Sequence, residues 1–154
     1  SLLIRERLGV PVIGLWSFSE GGKFVKGIID RGDEDAFEVV LNNGRWPSLF
    51  FTDDNLTLVS YIAKKGCYKM LESLLAVYPS QVNSGLGLPR CNSSPLVEAA
   101  RAGHVDIVEL LINHGADVDY INEYHETAEL VATDERILHS LTEAKKAITR
   151  SFGK

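Results

Sequence analysis

The sequence predicts an all-α chain, a solenoid of antiparallel helix pairs stacked side by side with exposed turns between them. Three observations support that class. Glycines recur at Gly32, Gly66 and Gly103, spaced 34 and 37 residues apart, a period that belongs to stacked supersecondary units. A short run with small residues on one face precedes Gly66 and Gly103, and a run with a wide apolar face follows each, the pattern of one helix folding back on another. The 154 residues are 45% hydrophobic and 24% charged, which suits one compact unit or a short array of repeats and excludes wholesale disorder or a fibrous chain.

Residues 1–21 match no unit. Their apolar side chains, among them Leu2, Leu8, Val12, Leu15, Trp16 and Phe18, could cover the open face of the first repeat, so the segment reads as an N-terminal cap or partial repeat. A degenerate first unit comes next, with Phe24, Val25, Ile28 and Ile29 before Gly32 and Ala36, Phe37, Val39, Val40 and Leu41 after it. Asp33, Glu34 and Asp35 fall at a helix start, where negative charge meets the positive end of the helix dipole. The second unit holds Thr57, Val59, Ile62, Ala63, Gly66, Met70, Leu71, Leu74, Leu75, Val82 and Asn83, with Pro79 in place of a glycine turn. Gly85, Gly87 and Pro89 then mark residues 83–90 as a lengthened loop, which accounts for the longer step to Gly103.

The third unit is the clearest. Ser94 is a good N-cap, Pro95 sits where its missing N–H costs nothing, and Ala99 with Ala100 makes a slim face. Gly103 ends that helix in a position suited to positive φ. Val105, Ile107, Val108, Leu110, Leu111 and Ile112 supply the second helix, which Gly115 stops. Thr127 lies 33 residues after Ser94 and opens a shorter pair containing Ala128, Val131, Ala132, Ile137, Leu138 and Leu141. Its extra surface charge suits a terminal unit with one polar face. Residues 145–154, with Lys145, Lys146 and Arg150, extend the last helix as a tail that frays at its end.

Residues 94–119 resemble an ankyrin repeat over their whole length, with Ser94 and Val97 standing where the family's opening Thr-Pro-Leu-His has threonine and histidine. The resemblance covers residues 22–144, about four repeat units including a C-terminal cap. By that resemblance His104 takes the family's Gly-His position, where its ring would bond to the turn, and Cys67 aligns with it. The resemblance further implies another protein as partner, held on the concave face made by turn tips and inner helices. Carried over by position, that face comprises Asp53, Asp54 and Leu56 with Lys64 and Lys65, then Arg90, Cys91 and Ser93 with Arg101 and Ala102, then Glu123, Tyr124 and Glu126. Trp46, in the preceding loop, adds a second aromatic anchor beside Tyr124.

Other functions find little in the residues. A net charge of −5 provides no field to draw the chain to nucleic acid or an anionic membrane. The longest uncharged stretch, residues 8–19, falls short of the ~20 residues needed to span a bilayer. Cys67 and Cys91 are too few for a disulfide framework and are not spaced as metal ligands, which suits a reducing, cytoplasmic setting with a nuclear one left open. In that setting the sequons at Asn55 and Asn92 read as chance. Gly21, Gly22 and Lys23 lack the rest of a phosphate loop, with Ser17 and Phe24 at the decisive positions, and Gly85 with Gly87 lacks the third glycine of a dinucleotide fingerprint.

No two of His104, His114, His125 and His139 stand at a spacing that would bring both imidazoles to one metal. No serine stands in a hydrolase elbow. The expectation is therefore a monomeric, non-catalytic interaction module without metal or cofactor. The alternative is the regulatory or substrate-targeting ankyrin portion of a larger enzyme or effector, to which a chain beginning with Ser1 rather than Met points. A small enzyme with its site near Cys67 or in the N-terminal segment is the third reading, and nothing near Cys67 marks an activated thiolate.

Overall fold

A computed structural model of the chain describes residues 18–42, 52, 55–83 and 93–152, with side chains described between residues 22 and 147. The described residues form four antiparallel helix pairs and no β-strand. They are α1 (Phe18–Arg31) with α2 (Glu34–Asn42), α3 (Leu58–Lys65) with α4 (Tyr68–Val77), α5 (Pro95–Ala102) with α6 (Val105–Asn113), and α7 (Ala128–Val131) with α8 (Glu135–Phe152). The loop expected at residues 83–90 lies almost wholly outside the described residues, as does most of the N-terminal segment.

The pairs begin and end for local reasons. Thr57, Ser94 and Thr127 each accept a backbone N–H three residues on, from Ser60, Val97 and Leu130, at 3.2–3.3 Å, satisfying donors the first helical turn would leave orphaned. Asp33 does the same for α2, accepting the Ala36 N–H at 3.1 Å. At the far ends of α3 and α5, Gly66 and Gly103 take φ of 81° and 82° and return their N–H groups to carbonyls of the preceding turn, a left-handed cap that disfavours any residue with a Cβ. Pro79, expected as a local variant, opens a short 3-10 helix (Pro79–Asn83) after Tyr78 closes α4.

One element runs longer than the sequence predicts, and another takes in the helical tail expected after residue 144. α1 begins at Phe18 and passes through Gly21 and Gly22, so the glycines at the expected edge of the first unit lie inside a helix. Each interior glycine costs about 1 kcal/mol relative to alanine, and propensity therefore gives no sign of a helix there. α8 runs 18 residues, through most of the expected tail. Lys145 Nζ holds it in place at 2.9 Å from Glu129 and 3.6 Å from Asp119.

The helices form two layers. α1, α3, α5 and α7 pack in succession as the inner layer, and α2, α4, α6 and α8 as the outer one. Between them lies one continuous core of fully buried residues, including Ile28, Phe37, Ile62, Leu71, Leu74, Leu96, Ile107, Leu111, Ile137 and Leu141. Leu138, expected in the last pair's apolar face, is instead 38% exposed, and Leu130 is 72% exposed. Their counterparts in the third pair, Val108 and Val97, are buried because a further pair covers them, whereas none follows α8 among the described residues.

Neighbouring units are also joined by polar contacts. The Asn83 side chain accepts the Asp117 N–H at 2.8 Å and donates to the Gly115 carbonyl at 3.4 Å. His104 bonds not to its own turn but to the preceding unit's, its Nε2 lying 3.1 Å from the Lys64 carbonyl. A carbonyl only accepts, so Nε2 carries the hydrogen.

Candidate interaction groove

The inner layer and the turns above it enclose an open groove of about 480 Å³, lined by Leu56, Lys64, Ser93, Glu98, Arg101, Tyr124 and Glu126. Six of these seven are residues the sequence placed on the concave face, drawn from three successive units. Lys65 and Glu123 are exposed but do not line the groove. Trp46, Asp53, Asp54, Arg90 and Cys91 lie outside the described residues.

Two turns of the same construction supply Leu56, Tyr124 and Glu126 to the groove. In one, the Thr52 N–H donates to the Leu56 carbonyl at 2.9 Å, the Thr52 hydroxyl accepts the Leu56 N–H at 3.2 Å, and Asn55 takes a φ of 60°. In the other, the Asn122 N–H donates to the Glu126 carbonyl at 3.0 Å, the Asn122 side chain accepts the N–H groups of Tyr124 and Glu126 at 2.9 Å each, and His125 takes a φ of 60°. Leu56 and Glu126 thus occupy equivalent positions, each just ahead of a helix-capping threonine, and Ser93 stands in the same place ahead of Ser94. Local side-chain bonding of this kind competes with regular structure and sets such turns. Leu56 and Ser93 are both buried, so they form the groove's floor and not exposed tips.

Ser93, Glu98, Arg101 and Glu126 form one connected network, with Asn122 bound to Glu126. Arg101 meets Glu126 in a bidentate pair, Nη1 to Oε2 at 3.0 Å and Nη2 to Oε1 at 2.7 Å. Asn122 donates to the same Oε1 at 2.9 Å. The Arg101 bond and then the Asn122 bond hold the Glu126 carboxyl down to about 2, and Arg101 is correspondingly raised, with Glu126 as the main cause. Glu98, which sequence reasoning missed, is buried on the inner face of α5; Ser93 Oγ donates to its Oε2 at 2.7 Å, and Arg101 Nη2 lies 3.5 Å from that oxygen. The available signal was an acid in the apolar stretch of Pro95, Leu96, Val97, Ala99 and Ala100, at the register where α3 carries Tyr61.

Lys65 belongs to a second network. The Tyr61 hydroxyl donates to Asp30 on α1. Lys65 lies 3.9 Å from Asp30 and 5.5 Å from the Tyr61 ring centroid, and Lys26 lies 3.2 Å from Asp30 and 4.9 Å from the same ring. Asp30 is held below the usual carboxylate range, first by Tyr61 and then by Lys26, and Lys26 is raised mainly by its bond to Asp30. These groups tie the first two units together.

Elsewhere the chemistry is sparse. Burial pushes the half-buried Cys67 thiol up, opposite to the shift that activates a cysteine nucleophile. A second open hollow of about 590 Å³ lies between α6 and α8, lined by Val105, Asp106, Glu109, Glu135, Arg136, His139 and Ser140. No three His, Cys, Asp or Glu among the described residues are grouped to hold a metal ion. No described helix is long and apolar enough to cross a membrane.

Comparison with known proteins agrees with this geometry. The ankyrin protein-family model matches residues 58–147 in three copies, leaving α1 and α2 outside the match. A stretch of 68 residues, 44% of the chain, is 46% identical to the ankyrin repeat and KH domain-containing protein mask of Drosophila melanogaster, and the match spans 2% of that protein's length. With more than half of its residues matched by that family model, and with its capped helix pairs, glycine turns and stacked layers, the chain belongs to the ankyrin-repeat family.

Proposed function

We propose that the chain is a non-catalytic module that holds a segment or domain of another protein in the groove between α3, α5 and the turn at residues 122–126. Ankyrin repeats are in general protein-interaction modules. The observation that supports this surface is convergence: side chains from three successive units meet in one hollow that combines an aromatic ring, an aliphatic floor and a charged network. By sequence register alone, the proposal assigns Asp53, Asp54, Arg90, Glu123 and Trp46 to the same partner surface, for which a footprint of about 800 Å² leaves room. In this reading the module is a cytoplasmic or nuclear monomer that takes up no cofactor, metal, nucleic acid or membrane.

The test is capture of partners by wild type and by a Lys64→Glu plus Arg101→Glu variant whose folding is verified by circular dichroism. Reversing both charges is expected to change capture by about tenfold or more. Unchanged capture of every partner removes the groove from consideration. A second reading, an ankyrin portion that regulates or targets a larger enzyme or effector, is favoured by the relative, in which the matched stretch is a small part of a much longer chain. The full reading frame around these residues decides it.

A further inference from the structure

We infer that the segment seated in the groove presents a lysine or arginine side chain to Glu98. This rests on the proposed groove function and names the chemistry of its partner. Glu98 is 6% exposed and is the one carboxylate among the described buried residues. A carboxylate withdrawn from water is costly unless its oxygens are matched. Only half of that matching is internal: Ser93 and Arg101 both address Oε2, and no described residue bonds to Oε1. Oε1 is not sealed off from solvent either; among the described residues only Gln81 Oε1 is both sealed off and without a hydrogen-bond partner. It is therefore an open acceptor in the groove that Glu98 lines.

Of the two cations that line the groove, Lys64 makes no described bond or ion pair to Glu98 and Arg101 is poorly placed to complete it. Both terminal nitrogens of Arg101 are committed to Glu126, which Asn122 fixes from the other side. An ionised carboxylate accepts and cannot donate, so a partner's carboxylate or carbonyl is repelled there and a donor is required. A lysine or arginine supplies that donor together with a long aliphatic stem. Leu56 and Tyr124, the latter 64% exposed, line the same groove and give it apolar and aromatic surface suited to such a stem. The chain's net charge of −5 draws a basic segment from a distance. An acidic segment would instead have to displace Glu126 from Arg101.

The experiment selects peptides from a display library of random short sequences on the folded wild-type chain. It then measures the best peptide by calorimetry against wild type, Glu98→Gln and the Lys64→Glu plus Arg101→Glu variant. A lysine or arginine at a fixed place in the selected peptides is expected. Replacing it with alanine should weaken binding to wild type about tenfold or more and change binding to Glu98→Gln little, since the two losses are one interaction. If Glu98→Gln fails to fold, Tyr124→Ala, at an exposed ring, stands in, with a reduced effect of the same alanine replacement expected.

Selected peptides with no basic position, or an alanine replacement equally costly to both proteins, overturn the inference while leaving the groove reading intact. Peptides whose affinity the double charge reversal leaves unchanged, neither weaker nor tighter, overturn the groove reading itself. Failure to select any peptide counts against both.

Discussion

Tyr61 and Glu98 hold the same place in two successive inner helices, each five residues ahead of the glycine that ends its helix, yet they build opposite kinds of joint. Tyr61 reaches back, donating to Asp30 in the first pair beneath two lysines that lie over its ring. Glu98 belongs to a network that reaches forward, through Arg101 to Glu126 in the turn before the fourth pair. The helices that carry them are alike in length, cap and glycine stop. The scaffold thus sets where a side chain stands, and the single residue at that register decides whether the face is closed by an internal contact or left with an acceptor for something else.

The two units should respond alike where only packing is at stake. Leu74 and Leu111 are equivalent and fully buried, so Leu74→Ala and Leu111→Ala are each expected to cost ~2–5 kcal/mol, read from denaturant unfolding. A melt left unshifted by either would contradict the shared core. They should differ at the glycine turns. Gly66→Ala and Gly103→Ala both place a side chain at left-handed φ, worth ~1–2 kcal/mol. At Gly66 the new Cβ also meets the His104 ring at 2.7 Å, whereas at Gly103 its nearest neighbour is Thr133 Oγ1 at 3.4 Å. The Gly66 variant should be the less stable, with the gap closing when His104→Ala is added; equal melting of the two single variants would break this distinction.

The smallest effect is electrostatic and separates the two networks directly. Carbon-13 detected titration should find the Glu126 carboxyl at about 2 and Asp30 below the usual carboxylate range. Because both native-state values are lowered, the stability they contribute is present above the ordinary carboxylate range and is lost as pH falls through the folded values. For Glu126 that window runs from 4.5 down to about 2. Arg101→Gln should return Glu126 toward its ordinary value without moving Asp30, and Tyr61→Phe should do the reverse, only in part, since Lys26 and Lys65 remain beside Asp30. Either substitution shifting both carboxyls would show that the two joints are coupled.

Most of the fold was legible because its signals are local. Thr57, Ser94 and Thr127 cap, Gly66 and Gly103 stop, and the apolar spacing of α4 and α6 assigns their buried faces. The features that escaped depend on neighbours. Gly21 and Gly22 are helical against their own propensity, and Leu130 and Leu138 are exposed where no further pair packs on them among the described residues. The groove was legible as a set of positions, since Leu56, Lys64, Ser93, Arg101, Tyr124 and Glu126 follow from the repeat register. Chemistry within it was not: Lys65 is drawn off by Asp30 from another helix, Leu56 and Ser93 are floor residues, and Glu98 sits among apolar neighbours in a stretch that reads as core.

The groove's walls come from three consecutive hairpins, and stacked hairpins of this kind touch only their neighbours. Whatever settles there fastens together pieces that otherwise meet only two at a time. Under the proposed function, occupancy would work as a splint: by mass action it would favour the fully stacked array over one opened between units, so capture of a partner would also stiffen the stack against bending and stretching.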